Sequence, residues 1–269
     1  LLDTILKIEK LLDKNLNNKV IEILNPLFTK KSLNDFEKSS VYFLFGTAHY
    51  NLKNFSNANT SFLSILAYND IPIPLYLESL RKLSVKFLDT KQKEFVLERI
   101  KIINNKEKNI DMQLSLAEFL YHSSDFIRTI ETLDLVVQNE EKLTATQLEK
   151  LNELLFFAHV GNSELNDALK IIETTVGVNP TKANLRRLAY IYALMNKTEN
   201  HLNIWETIND NFLLDRYETK YFYELLLKHE FHSKAEQIFN HGLENGFFEP
   251  NEKLHNNSLN TWLQSTPSS

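Results

Sequence analysis

Large apolar, small and aromatic side chains recur at fixed spacing along this chain. In Ser39–Pro72 the pattern is Tyr42, Phe45-Gly46, His49, Phe55, Ala58 and Phe62. Small side chains at its eighth and twentieth positions let two helices approach closely, and the large side chains fill the space around that contact. The pattern therefore predicts a pair of packed helices, which we call helix A and helix B of one repeat.

The same pattern recurs along nearly the whole chain. The residues at its twentieth position lie 33 to 39 residues apart: Val20, Ala58, Val96, Thr129, Ala168, His201 and Ala235. Seven copies indicate a repeat architecture, in which each helix pair buries its apolar face against its neighbours. The longer intervals coincide with polar or Pro-bearing stretches at 30–37, 68–74 and 138–146, which we interpret as added loop residues.

This spacing is that of the tetratricopeptide repeat. The sequence therefore predicts an all-α fold, a right-handed tetratricopeptide-type α-solenoid of about seven helix pairs plus a C-terminal capping helix. We place the repeats at about 1–34, 39–72, 77–110, 110–143, 149–182, 182–215 and 216–249, and the cap at 251–264. Because each repeat contacts mainly its neighbours and no boundary stands out, we expect residues 1–269 to form a single solenoid.

Composition narrows the possible partners and chemistry. Only 5 Gly and 6 Pro occur, which disfavours hairpins and tight loops, and the lack of Cys excludes disulfides and thiolate chemistry. The net charge is −5, with Lys and acidic residues interspersed, unlike a basic nucleic-acid footprint. No apolar run is long enough to span a bilayer. We therefore expect neither a nucleic-acid partner nor a membrane span in this chain.

Sequence motifs of catalysis and cofactor binding are missing. The chain has no Gly-rich phosphate loop, no G-x-S-x-G and no H-E-x-x-H. His229 and His232 could share a helix face and bind a metal with His241, but they lack a convincing third ligand and we predict structural roles. We likewise expect His201 to be a core residue rather than a general base. The sequence thus predicts no enzyme, no cofactor and no metal.

The concave side of such a solenoid is the candidate binding surface. Helix A contributes its positions 2, 5, 9, 12 and 13 to that side, and aromatic or Arg side chains there are typical interface anchors. The candidate partner-binding residues are Phe43, Tyr50, Tyr121, Phe157, Arg186, Tyr190, Lys220 and Glu224. The alternative is that a tightly curled superhelix buries some of them against neighbouring A helices.

Three of these candidates suggest a binding mode. Phe157, Arg186 and Tyr190 come from consecutive A helices, so we expect them to lie side by side. An extended peptide could place an apolar side chain between the two rings, while Arg186 holds a carboxylate or a backbone carbonyl.

Longer stretches resemble one particular family. They are LNDFEKSSVYFLFGTAHYNLKNFSNANTSFLSIL (Leu33–Leu66), NPTKANLRRLAYIYALMNKTENHLNIWE (Asn179–Glu206) and SKAEQIFNHGLENGFFEP (Ser233–Pro250). These stretches are similar to the tetratricopeptide proteins encoded beside TonB, ExbB and ExbD in proteobacterial energy-transduction operons. The chain departs from that family at His201, where a small residue is usual.

The resemblance implies a periplasmic, non-catalytic adaptor of a TonB-dependent outer-membrane transport system, with a TonB, ExbB or ExbD component as partner. Two alternatives remain open. One is a generic assembly or chaperone-like scaffold, periplasmic or cytoplasmic, and the other is a hydrolase or transferase built on helical hairpins. The chain opens within a predicted helix and without Met, so the sequence leaves open whether an N-terminal signal or anchor has been removed upstream.

Overall fold

The fold is all-α. The computed structural model describes residues 2–29, 33–69, 71–107, 109–138 and 142–249, and within them it has fourteen α-helices and no strand. The helices are α1 (Leu2–Asp13), α2 (Asn17–Leu24), α3 (Asp35–Asn51), α4 (Phe55–Leu66), α5 (Ile73–Lys82), α6 (Thr90–Glu107), α7 (Ile110–His122), α8 (Phe126–Val137), α9 (Ala145–Gly161), α10 (Leu165–Val178), α11 (Lys182–Leu194), α12 (Thr198–Asp210), α13 (Arg216–Lys228) and α14 (His232–Glu244). In chain order these helices match the seven predicted A helices and seven predicted B helices, and the all-α fold class is confirmed. The capping helix predicted at 251–264 lies outside the described residues.

The chain divides into two compact units. The first unit spans Leu1–Ser163 and the second unit spans Glu164–Ser269. The single solenoid over 1–269 stays a prediction.

Polar side chains fix where several A helices begin. In α3 the Asn34 side chain accepts a hydrogen bond from the Glu37 N–H at 2.9 Å, and the Glu37 carboxylate accepts one from the Asn34 N–H at 2.9 Å. Thr144 and Gln147 form the same reciprocal pair at the start of α9. Such capping boxes satisfy backbone donors that the first helical turn leaves open.

The turns between A and B helices share one backbone feature. In six of the seven pairs a non-glycine residue there has a left-handed conformation: Asn15, Lys53, Ser124, Ser163, Asn196 and Glu230. The N–H groups of this residue and the next one bond carbonyls of the preceding helix, as Glu230 does with Leu227 at 3.1 Å and Phe231 with Leu226 at 2.9 Å. These bonds close the A helix, so its end needs no glycine.

Small residues allow close packing in the first unit, as the repeat pattern predicted. Gly46 of α3 lies against the ring of Phe62 in α4, where an added Cβ would come within 2.8 Å of the ring. Ala58 and Phe62 are both fully buried, in a cluster that also contains Tyr76 of α5. The eighth, twentieth and twenty-fourth positions of this repeat therefore serve the packing role that their spacing indicated.

The core of the second unit includes a polar contact between aromatic side chains. Trp205 of α12 is 8% exposed, and its indole N–H donates to His201 Nε2 at 2.9 Å. The Trp205 ring also packs against Tyr221 and Phe222 of α13, with centroid distances of 5.0 and 6.4 Å. His201 is thus a buried core residue, as predicted, and its lone pair satisfies the buried indole donor.

The third helix pair departs from the predicted register. Counted from residue 77, the repeat pattern places Leu83, Ser84 and Phe87 at its seventh, eighth and eleventh positions, within helix A, but α5 runs only from Ile73 to Lys82. Pro74 in its first turn favours the earlier start, because proline is tolerated there. Beyond α5 the chain forms a 3₁₀ turn at Val85–Phe87 before α6 begins. The template positions assigned to 83–87 were therefore wrong.

Candidate functional site

The predicted partner-binding residues are divided between the two units. Phe43, Tyr50, Tyr121 and Phe157 belong to the first unit, and Arg186, Tyr190, Lys220 and Glu224 belong to the second. The expected side-by-side arrangement of Phe157 with Arg186 and Tyr190 joins both units, so it stays a prediction.

Two first-unit candidates pack largely within the protein. Phe43 of α3 is half-buried, and its ring centroid lies 6.1 Å from that of the fully buried Phe62. Phe157 of α9 is half-buried beside Phe156 at 5.1 Å. The burial that the sequence left open as an alternative therefore applies in part to both rings.

Tyr121 of α7 packs against the ring of another candidate residue, Phe157. Its ring lies 6.3 Å from Phe157 and 5.9 Å from Phe126 of α8, and it is half-buried. Glu118 of the same helix forms an ion pair with Lys150 of α9 at 2.6 Å. These contacts join the neighbouring A helices α7 and α9 through one aromatic pair and one ion pair.

Tyr50 is an exposed first-unit candidate at the end of α3. Its ring is 37% exposed and meets Phe55 of α4 edge-on at 5.5 Å. The Lys82 ammonium lies 5.5 Å from the centre of the Tyr50 ring, within cation–π range. Tyr50 is thus available to a partner on a surface that also carries positive charge.

In the second unit, Arg186 is held by a buried carboxylate that sequence reasoning did not single out. Glu218 of α13 has a side chain only 6% exposed, and it lies 2.6 Å from Lys182 Nζ and 3.2 Å from Arg186 Nε of α11. Glu218 Oε1 accepts no hydrogen bond within the described residues, so its contact with Arg186 is ionic without good hydrogen-bond alignment. The one clue in the sequence was the D-x-x-E capping box at Asp215, which accounts for one hydrogen bond of this carboxylate.

Tyrosines of the same two helices face solvent. Tyr190 of α11 is 49% exposed and Tyr217 of α13 is 83% exposed, while Leu194 and Glu224 are also exposed. We call Arg186, Tyr190, Leu194, Tyr217 and Glu224 the A-helix face of the second unit. Large apolar side chains left in solvent on packed helices are the type of residue that anchors interfaces.

Lys220 lies beside the segment that follows α14. Its ammonium lies 5.6 Å from the centre of the Phe248 ring, and the neighbouring Arg216 donates from Nε to the Phe247 carbonyl at 3.2 Å. Lys220 is half-buried. It therefore contacts the end of its own unit, whatever further role it has toward a partner.

The histidines considered for metal binding or catalysis are placed at helix ends or in the core. His229 is the C-cap of α13 and His232 is the first residue of α14. Among the described residues, the grouping of three potential metal ligands does not include either of them. Burial lowers the pKa of His201, and the nearby His229 and Lys228 add to that effect. His201 therefore suits the acceptor role that it has toward Trp205.

Comparisons with known proteins identify the fold. No protein family matches the chain by its sequence, and no curated protein resembles it in sequence. Among solved structures, the chain is similar to the crystal structure of a tetratricopeptide repeat protein from Parabacteroides merdae ATCC 43184, with a TM-score of 0.61 and 12% sequence identity over 96% of both chains. In the part of the chain that the structure describes, no helix is long and apolar enough to cross a membrane. The chain therefore has a tetratricopeptide-type all-α fold.

Proposed function

We propose that this chain is a non-catalytic protein-binding scaffold that holds an extended segment of a partner on the A-helix face of its second unit. The observation that carries the proposal is the exposure of Tyr190 and Tyr217 on two helices that Glu218 joins by ion pairs. A rigid base with protruding rings binds with little loss of side-chain freedom. The tetratricopeptide-type fold supports the same interpretation.

The charge of these helices indicates the chemistry of the partner. Helix α11 carries Lys182, Arg186 and Arg187 and no acidic residue, although the whole chain has a net charge of −5. Glu218 offsets part of this positive charge at Lys182 and Arg186. An extended segment with carboxylates beside an apolar side chain would complement the A-helix face.

The finer proposal is that the partner belongs to a TonB-dependent outer-membrane transport system and that this chain works in the periplasm as its adaptor. The three sequence stretches that resemble the tetratricopeptide proteins of energy-transduction operons support it. TonB would transmit energy from the inner membrane, and the scaffold would position TonB or a component beside it.

An affinity pull-down from envelope extracts, read by mass spectrometry, tests both levels of the proposal. The bait is the wild-type chain, compared with a Tyr190→Ala, Tyr217→Ala variant. Recovery of TonB, ExbB or ExbD by the wild type only supports the finer proposal. Tyrosine-dependent recovery of unrelated assembly factors would support the scaffold and contradict the TonB role. Equal recovery by both baits would exclude the A-helix face.

Binding measured on the recovered partner should separate recognition from folding. The double tyrosine variant should bind about tenfold to a thousandfold more weakly, as for the loss of central anchor residues. Its melting temperature should change little because both rings are exposed. Phe212→Ala is the matched control, since Phe212 is 86% exposed but lies in the turn between α12 and α13.

Arg186→Ala is less suitable for a binding test. Arg186 lies beside the buried Glu218, so its removal weakens the compensation of a buried carboxylate and the link between α11 and α13. A loss of binding in that variant would then report on folding as well as on contact with the partner. The tyrosines avoid this ambiguity.

A further inference from the structure

The segment after α5 displays two side chains on an anchored loop. Leu83, Val85 and Leu88 are buried in the core of the first unit, whereas Lys86 and Phe87 between them are exposed. Phe87 is 50% exposed, although three apolar neighbours of the same loop are buried. The loop is therefore fixed at three points and presents a lysine and a phenylalanine to solvent.

A buried amide fixes this loop further. Asn59 of α4 is 3% exposed, its Nδ2 donates to the Ser84 carbonyl at 3.0 Å, and its Oδ1 accepts from the Ser84 N–H at 2.9 Å. Both backbone groups of Ser84 are thus satisfied where α5 has ended. Because the backbone is held on both sides, Lys86 and Phe87 lose little freedom when a partner binds.

The exposed ring belongs to a row of aromatic side chains. Phe87 stacks on Phe55 of α4 at 5.2 Å with an interplanar angle of 16°, and Phe55 meets Tyr50 of α3 at 5.5 Å. The Lys86 ammonium lies 4.9 Å from the centre of the Phe87 ring, and Lys82 lies over Tyr50 at the other end of this series of contacts. We call these five residues the ring row.

Positive charge is concentrated in the sequence that supplies the ring row. Between residues 81 and 93 there is one acidic residue, Asp89, and there are five basic ones: Arg81, Lys82, Lys86, Lys91 and Lys93. Arg81 pairs with Glu78 at 2.5 Å, whereas Lys82 and Lys86 form no ion pair within the described residues. A chain with a net charge of −5 therefore has a local net charge of +4 over these thirteen residues.

We propose that the ring row is a second protein-binding surface, and that it binds an acidic segment of a partner protein that carries an aromatic side chain. The incoming ring packs against Tyr50 or Phe87, and carboxylates beside it meet the ammonium groups of Lys82 and Lys86. This surface lies within the first unit, so it does not depend on the A-helix face of the second unit.

The geometry favours a peptide over a membrane or a nucleic acid. Membrane insertion needs apolar side chains that reach beyond the charged groups, whereas Phe87 lies flat on Phe55 with Lys86 over it. A nucleic acid would experience the net charge of −5 of the whole chain beyond the local patch. A short acidic segment interacts mainly with the nearby lysines, because salt screens the more distant charges.

Fluorescence anisotropy with the full chain tests the proposal. The probe is a fluorescein-labelled peptide of glutamates flanking one phenylalanine, and the comparison peptide replaces the glutamates by lysines. We expect the acidic peptide to bind in a salt-dependent manner and the basic peptide not to bind. Wild-type protein that ignores the acidic peptide at millimolar concentration would overturn the proposal.

Matched variants locate the binding. Lys86→Glu and Phe87→Ala should each weaken binding of the acidic peptide by about tenfold or more. Lys101→Glu makes the same charge change on an exposed part of α6, and Phe36→Ala removes a ring that is 51% exposed at the start of α3. Both controls should bind as the wild type does. Circular dichroism on all four variants checks that they remain folded.

Three other results would contradict the inference. The first is an equal loss of binding in Lys86→Glu and Lys101→Glu, which would show bulk charge rather than a site. The second is unchanged binding in both ring-row variants. The third is tighter, Phe87-dependent binding to single-stranded oligonucleotides or to phosphatidylserine vesicles than to the acidic peptide.

Discussion

The helix pairs α11–α12 and α13–α14 of the second unit differ from the third pair of the first unit, α5 and α6, in helix length and in the turn that joins the two helices. Helices α11 to α14 are each 13 residues long, and left-handed residues at Asn196 and Glu230 join A to B. Helix α5 has 10 residues and α6 has 18, and a 3₁₀ turn with no left-handed residue joins them.

This difference shows which parts of a repeat fold can carry exposed binding residues. In the regular pairs the turns are short, so the exposed aromatic residues Tyr190 and Tyr217 lie on the A helices themselves. In the irregular pair α5 is short and a loop follows it, and the exposed ring of Phe87 lies on that loop. A regular pair therefore exposes its binding residues on a helix face. A pair whose register differs exposes them on a loop that is anchored in the core.

The largest expected effect is in the regular pairs. Trp205→Ala should cost about 3–5 kcal/mol, because the indole is buried against Tyr221 and Phe222 and bonds His201. Repeat stability is a sum of neighbour interactions, so α11–α14 should lose hydrogen-exchange protection before α3 and α4 do. Equal loss of protection in both units would contradict this local account. The exposed Phe212→Ala serves as the control.

The next effect concerns the irregular pair. Asn59→Ala should cost about 1–3 kcal/mol, since the part-buried Ser84 N–H would lose its partner, although the Ser84 carbonyl would keep its bond from the Phe87 N–H. The loop at 83–89 should then exchange its amide protons faster, while α11–α14 stay protected. Asn57→Ala is the control, because Asn57 is exposed on the same helix. Unchanged exchange in the loop would show that Asn59 does not hold it.

The sequence predicted the regular parts well, because packing repeats are visible in one dimension. Small and large residues at fixed positions, such as Gly46 against Phe62, indicated the helix pairs and their contacts. The predicted register of the third pair was wrong, because Leu83 and Ser84 match the repeat pattern although Pro74 and Asn59 stabilise a different backbone. A single amide that bonds a loop 25 residues away has no periodic signature.

The candidate binding residues were less predictable. Tyr190 and Glu224 are exposed as their helix A positions indicate, but Phe43 and Phe157 are half-buried. Arg186 was predicted as a free anchor, yet its partner Glu218 is a capping residue on another helix. Exposure follows from which helices meet, and sequence spacing within one repeat does not specify contacts to the next.

A smaller effect should appear as a pH dependence of stability that arises at the buried His49 of the first unit and the buried His201 of the second. Burial lowers the pKa of His49 and of His201 below 6.5. Unfolding then takes up a proton at each site as the pH falls below 6.5, so the stability present above that pH is progressively lost. Each histidine adds a slope of at most about 1.4 kcal/mol per pH unit.

A variant of His201 can assign part of this slope to the second unit. His201→Asn should flatten the pH dependence seen in the second unit, because an amide oxygen can still accept from Trp205 without titrating. The measurement is urea unfolding between pH 5 and 8, followed by Trp205 fluorescence in a Trp262→Phe background. An unaltered slope in His201→Asn would assign the protonation elsewhere.

The smallest expected effect is a change in stability on substitution by glycine, which has opposite signs in the two kinds of turn. Glu230 has a φ of 63°, a conformation that glycine adopts without strain, so Glu230→Gly should stabilise the chain by up to about 1 kcal/mol. Ser84 of the irregular pair has a φ of −86°, so Ser84→Gly gains no relief and should destabilise by about 0.5–1 kcal/mol through greater freedom of the unfolded chain. Asn196→Gly should change the free energy of unfolding by close to zero, because Asn tolerates the left-handed region better than Glu.

Urea unfolding midpoints of the three variants measure these differences. If Ser84→Gly and Glu230→Gly shift the midpoint in the same direction, the backbone distinction between the regular and irregular pairs does not account for their stability.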